Sequence, residues 1–237
     1  MPDAVTDDVD TGADDERTSA PAKPKAKVPR APFIVVAVTV LLLGIAVAFR
    51  AQNPMEEPDR SALNGTMLGA PQPRPEFTLT DTDGRPYDFA DETAGELTLL
   101  FFGYTSCPDV CPLHLSNLAF ALERPGVPTP TVVFVGVDRQ RDTPEAIRTF
   151  LDRFDPQFVG LTGTEEELRL AQEAANVSVA ITEEPEEPGG DYLVGHSAQV
   201  IAYTADDQSH VVYPFGVRQQ DWIDDLPVLA RNEWDET

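Results

Sequence analysis

A three-layer α/β domain set behind a single membrane-spanning helix is the architecture the sequence predicts. Three observations carry it. Ala31–Phe49 is an uncharged run of 19 residues, APFIVVAVTVLLLGIAVAF. Leu97–Tyr104 (LTLLFFGY) and Thr131–Asp138 (TVVFVGVD) are short continuous apolar runs, the pattern of strands covered on both faces. After each of them apolar positions recur at helical spacing, and strands alternating with helices build a layered α/β domain.

At 1.5 Å per residue the uncharged run spans roughly 28 Å, close to the hydrocarbon thickness of a bilayer. Lys23, Lys25, Lys27 and Arg30 flank its N-terminal side. The positive-inside rule then places the preceding tail in the cytoplasm and Arg50–Thr237 outside it. Ala46-Val47-Ala48 resembles a small-residue cleavage site, but the apolar stretch exceeds a signal-peptide core and the tail before it is long. The expectation is an uncleaved single-pass anchor in the cell membrane. Residues 1–30, acidic, Pro-containing and without a large aliphatic run, read as a disordered tail. Residues 50–75, rich in Pro, Gly and polar residues, read as a tether that includes Met55 and Met67. Residues 76–237 remain as one domain.

Within that domain Phe77–Leu79 and Tyr87–Phe89 flank Asp83-Gly84, a hairpin signal. After the first buried strand, Leu115, Leu118, Ala119 and Leu122 give Leu113–Leu122 a helical period. After the second, Thr143 caps a helix that has Pro144 at its first position and Ile147, Phe150, Leu151 and Phe154 on its apolar face. Phe158–Leu161 reads as a short strand. Thr164–Val177 reads as a helix with a capping box between Thr164 and Glu167. Glu183–Asp191 is an acidic Pro/Gly loop. Ala198–Thr204 and His210–Tyr213 read as a hairpin around Ala205–Ser209, and Asp221–Ala230 as the closing helix.

Charge excludes one class of partner. The 237 residues carry 17 Lys+Arg against 41 Asp+Glu, a formal net charge of −24. A nucleic-acid-binding protein needs a basic face, so no nucleic acid is expected. All three lysines precede residue 30; from Arg50 onward 12 arginines face 34 acids, a net −22. Such a lysine-free acidic domain suits a salty exterior that screens its self-repulsion.

The chemistry concentrates in FGYTSCPDVCP, which holds both cysteines, Cys107 and Cys111. They follow a buried strand and precede a helix, the place where a thioredoxin architecture carries its redox pair, although that motif is Cys-x-x-Cys. A helix N-terminus favours thiolate, and Pro108 and Pro112 stiffen the loop. Two thiolates converging on one point suit a soft metal, Cu(I) outside the cytoplasm, with Cu(II) left open. A third ligand would come from elsewhere. Of the three histidines, His114 sits three residues past Cys111 and is expected to face outward, and His210 lies in the last hairpin. His196, in YLVGHSAQV, follows the acidic loop and could swing onto the pair. A structural Cys107–Cys111 disulfide is the plainer alternative, and so short a loop would stabilise little.

The combination of FTLTDTDG (Phe77–Gly84), LLFFGYTSCPDVCP (Leu99–Pro112), the VD…RDTPE stretch (Val137–Glu145), FVGLTGT (Phe158–Thr164) and DYLVGHSA (Asp191–Ala198) resembles the Sco/SenC family, membrane-anchored proteins of cytochrome c oxidase assembly. The resemblance covers about residues 70–233. It implies a thioredoxin-like fold that binds copper through two Cys and one His, here Cys107, Cys111 and His196. It implies delivery of copper to the dinuclear copper centre of cytochrome c oxidase subunit II, or reduction of that centre's cysteines before metallation. The copper donor is not implied. Three positions depart from the family pattern. Gly195 replaces an Asp before the ligand His, Arg139 replaces a Pro after Asp138, and Ser106 replaces a frequent His. Asp138 reads as a residue that contacts a partner or supports the site, and equally as a turn residue at a strand end.

Two function classes therefore stand. A metallochaperone would move copper by ligand exchange among Cys107, Cys111 and His196. A thiol–disulfide oxidoreductase would use Cys107 and Cys111 alone as a catalytic dithiol. Loss of His196 separates them. Thiol peroxidase activity follows from fold analogy only.

Overall fold

The computed structural model describes residue 35 and residues 39–45, 63–183, 190–231 and 234. Two compact units divide the chain, Met1–Glu57 and Pro58–Thr237. In the first, residues 39–45 are helical, and Thr39 Oγ1 donates to the Val35 carbonyl at 2.9 Å. The tail and most of the apolar run lie outside the described residues. Among the described residues no helix is long and apolar enough to cross a membrane.

The second unit is built on an eight-stranded mixed sheet. In chain order its strands are β1 (Thr66–Pro73), β2 (Thr78–Asp81), β3 (Pro86–Asp88), β4 (Thr98–Gly103), β5 (Thr131–Gly136), β6 (Val159–Thr162), β9 (Val200–Tyr203) and β10 (Gln208–Tyr213). A separate two-stranded ribbon joins β7 (Ile181–Thr182) to β8 (Val194–Gly195). The helices are α1 (Phe89–Glu92), α2 (Val110–Leu122), α3 (Pro144–Leu151), α4 (Glu165–Ala174) and α5 (Gln219–Leu229).

The sheet runs β1-β10-β9-β4-β5-β6-β2-β3. β4, β5 and β6 are parallel, with Phe101 beside Phe134 and Gly103 beside Gly136. Every residue of β4 is buried. Alternate side chains point to opposite faces, so the sheet is covered on both sides at its centre, as the unbroken apolar run predicts. α2 packs against α5, α3 against β6 and α4 against β2. The predicted caps are present: Thr143 accepts from the Ala146 N–H ahead of Pro144, and Thr164 forms its capping box with Glu167. Gly84, at φ +80°, makes the β2–β3 turn.

The structure corrects two boundaries. The segment read as a tether contains β1, which pairs antiparallel with β10. β1 is an edge strand with seven of its eight side chains exposed, so it carries no apolar alternation to reveal it. Just beyond it Arg74 is buried, donating to Thr93 Oγ1, Thr98 Oγ1 and the carbonyls of Glu96 and Thr204. The helix after the cysteine loop begins at Val110 rather than Leu113 because the Asp109 side chain caps it.

Candidate metal centre

β4 ends at Gly103, and the chain turns through Tyr104–Asp109 into α2. Cys107 N–H donates to the Tyr104 carbonyl at 3.2 Å, tightening this turn. Cys111 then falls in the first turn of α2, where its N–H points back at Cys107 Sγ, 3.4 Å away. Both cysteines are free thiols and buried, Cys111 completely. Packing at the end of β4 makes room for the second thiol. Gly103 lacks a side chain where a Cβ would stand 2.9 Å from Cys111 Sγ.

The third ligand comes from the far side of the sequence. His196 follows β8, and its Nε2 lies 3.6 Å from Cys111 Sγ. Its Nδ1 lies 2.9 Å from the Ser197 carbonyl. A carbonyl can only accept, so Nδ1 donates to it, and Nε2 is the nitrogen left facing the thiols, where a metal would take it. Tyr104 packs edge-on against the imidazole, with centroids 5.5 Å apart. The ligand atoms of Cys107, Cys111 and His196 all lie within 4.8 Å of one another. His196 is half-buried, so the group opens toward solvent through the imidazole.

The two thiols are electrostatically unequal. Cys107 is drawn down to about 5, first by a hydrogen bond from the Cys111 side chain, then by the N–H groups of Cys111 and Asp109 and by His196, against the opposing effect of burial. Cys111 is pushed far upward because its thiol donates to Cys107 and because it is buried. Burial and the neighbouring Cys107 thiolate raise Tyr104 to about 12.

Of the other two histidines, neither joins the site. His114 was expected to face outward and is instead buried at 3% exposure. With α2 starting at Val110, Cys111, His114, Leu115 and Leu118 share its buried face. Burial lowers the His114 imidazole's affinity for a proton. His210 pairs with Asp206 at 2.7 Å and stacks on Trp234 at 4.4 Å.

A supporting cluster stands beside the cysteine loop, and of its residues only Asp138 was readable as support. The Asp142 carboxylate accepts from Thr105 N and Oγ1, at 2.9 and 2.7 Å, and from Asp138 N at 3.0 Å, which ties the β5–α3 loop to the cysteine loop. Asp138, 1% exposed, pairs with Arg141 and accepts from Tyr192 OH at 2.9 Å. Asp138 is thus a supporting residue as well as a strand-end one. The RDTP and DYLVGHS stretches carry these residues in plain sight, but only folding brings them together.

Fold and site together define a class: a thioredoxin-like α/β domain that carries a Cys–Cys–His group able to hold copper at the helix after its central strand. The family model described as SCO1/SenC matches residues 66–231, and the chain belongs to that family. A bovine relative, "Protein SCO2 homolog, mitochondrial", is 35% identical over 135 residues, covering 55% of this chain and 50% of its own length. The chain spans about half the length of the curated relatives it matches. The solved structure of Bradyrhizobium japonicum ScoI with copper bound is 30% identical, covers 68% of this chain and 99% of its own, and superposes with a TM-score of 0.57. BsSco, described as a member of the Sco family of cytochrome c oxidase assembly proteins, is 20% identical with a TM-score of 0.55 and shares the fold.

Proposed function

We propose that this chain is a copper metallochaperone that carries one copper ion on Cys107 Sγ, Cys111 Sγ and His196 Nε2. Copper is its cargo, and the proposed acceptor is the dinuclear copper centre of cytochrome c oxidase subunit II. The observation that carries the reading is the convergence of these three soft-to-borderline donors within 4.8 Å from two distant segments of chain. A site with one half-exposed ligand suits transfer. An acceptor thiolate can displace the imidazole first, leaving the cysteines to be exchanged in turn. Ala31–Phe49 would anchor the domain outside the membrane, where such an acceptor centre is assembled.

The test is competitive Cu(I) titration of the full-length chain beside Cys107→Ser and His196→Ala. One tightly bound Cu(I) in wild type, weakened in both variants, is the expected result. Equal affinity in all three would sink the reading.

The unequal thiols favour a second activity. The Cys107 thiolate would attack a partner disulfide, forming a mixed disulfide and releasing one partner thiolate. Cys111, losing its proton, would attack Cys107 Sγ, forming the Cys107–Cys111 disulfide and releasing the second partner thiolate. Two electrons pass to the partner, whose cysteine pair is left reduced for metallation. This exchange should survive His196→Ala, whereas copper binding should weaken.

A further inference from the structure

The ribbon that carries His196 has little of its own to hold it. β7 and β8 have two residues each and stand apart from the main sheet. Among the described residues one further backbone bond, from Glu183 N–H to the Leu193 carbonyl at 3.0 Å, extends the ladder. Gly195 precedes the ligand and offers no side chain to steady it, and a Cβ there would meet nothing closer than 3.7 Å. A two-stranded ribbon of this length is marginal by itself. The imidazole must nevertheless face the thiols within a fraction of an ångström to ligate a shared ion.

A cluster around Arg141 fastens the ribbon to the body of the domain, alongside Val194, which is buried in the core. The Arg141 guanidinium lies 3.7 Å from the centroid of the Tyr192 ring, and its Nη2 donates to the Tyr192 carbonyl at 3.0 Å. The Tyr192 hydroxyl donates to Asp138, which pairs with the same Arg141. On its other side Arg141 is 5.8 Å from the ring of Tyr104, the residue that packs against His196. Through Asp138 and Asp142 the same cluster holds Thr105, two residues before Cys107. The cysteine loop and the histidine ribbon are therefore referred to one common anchor.

From this arrangement we infer that Arg141 and Tyr192 form a latch that positions His196 against Cys107 and Cys111, and so sets the Cys–Cys–His geometry. Neither residue touches the ligand atoms; both act through the backbone of Tyr192–His196. The inference deepens the metallochaperone reading and rests on it. With the latch closed the ion has three ligands, and with it open the ion is left on two thiolates. Arg141 and Tyr192 thereby govern how readily the site yields its imidazole to an acceptor.

The experiment is a double-mutant cycle on the full-length chain: wild type, Tyr192→Ala, His196→Ala and the double variant. Cu(I) affinity is read by competition, and imidazole coordination by nitrogen hyperfine structure in the Cu(II) electron paramagnetic resonance spectrum. Tyr192→Ala should weaken Cu(I) about 10- to 100-fold, the usual cost of losing a group that orients a ligand. It should remove the nitrogen signature and have no further effect once His196 is gone. Tyr192→Phe, which keeps the ring over Arg141 and loses only the hydroxyl, should restore most of the affinity. Equal loss from Tyr192→Ala in both backgrounds would mean a merely structural role and overturn the latch. So would wild-type affinity in Tyr192→Ala while His196→Ala is weakened. If His196→Ala itself binds as wild type, the metallochaperone reading falls, and the latch with it.

Discussion

His196 Nε2 stands 3.6 Å from Cys111 Sγ although 85 residues separate the two in sequence. Cys111 is completely buried in the first turn of a 13-residue helix. His196 is half-buried and directly follows a ribbon of two residues a side. Ligands buried so unequally let a site be tight when closed and labile when a competitor approaches, which transfer by ligand exchange requires.

The thiol asymmetry has a direct consequence for the metal-free protein. A group drawn down to about 5 is mostly thiolate at neutral pH, whereas an ordinary cysteine needs a pH above about 8.5. Iodoacetamide at pH 6.5 should therefore modify Cys107 and spare Cys111, whose thiol is pushed upward and buried. The rate should be nearly flat from pH 6.5 to 8 and fall about tenfold per unit below pH 5, as the thiolate fraction does. Mass spectrometry of the labelled peptides checks this; equal labelling of both cysteines would contradict the assignment.

Gly103 joins fold and site. A Cβ there would stand 2.7 Å from Phe134 Cε2 and 2.9 Å from Cys111 Sγ. Neither neighbour can retreat, since both are completely buried. Gly103→Ala should cost about 1–3 kcal/mol by overpacking and displace Cys111, weakening Cu(I) binding. Gly69→Ala, where nothing lies within 4 Å, should be close to neutral. Urea denaturation and Cu(I) competition on both variants test the pair.

Legibility in the sequence followed chemistry that is local. The buried strands, the Thr143 and Thr164 caps and the Asp83-Gly84 turn were readable because each is written in neighbouring residues. Cys107 and Cys111 were readable for the same reason. His196 needed family resemblance, since a lone imidazole has no spacing to betray it. β1 was missed because an exposed edge strand shows no period. Arg74 and the Arg141–Tyr192 contact were missed because their partners lie tens of residues away and nothing in a charged residue announces burial. His114 was put on the outer side although it stands four residues before Leu118 and therefore shares the buried face of the helix.

Arg74 gives that long-range burial a measurable size. It bonds Thr93, Thr98, Glu96 and Thr204 in the interior and pairs with the half-exposed Asp207 at 2.9 Å. It also packs 5.3 Å from the Tyr203 ring centroid. Arg74→Met removes the donors and strands several buried acceptors, so unfolding free energy should drop by about 3 kcal/mol. Arg74→Lys should recover less than half of that, because one ammonium cannot reproduce the planar fork. A loss under about 1 kcal/mol in urea would show that the segment around Arg74 is dispensable to the fold.

The acidity of the region after residue 49 leads to a prediction about salt. Arg85, Arg148, Arg169 and Arg218 are each paired to nearby acids, Arg169 with both Glu166 and Glu173. These are largely exposed local pairs worth little individually, and few positive charges remain to oppose the surplus of carboxylates. Salt weakens both the pairs and the repulsion, but 34 acids against 12 arginines after residue 49 make repulsion the larger sum. Raising NaCl from about 0.05 M to about 1 M shortens the screening length from over 10 Å to about 3 Å. The urea midpoint should rise with it, by an amount on the order of 1 kcal/mol. Urea is the denaturant to use, because guanidinium chloride is itself a salt. A midpoint independent of NaCl, or one that falls, would show that local pairing outweighs the net charge.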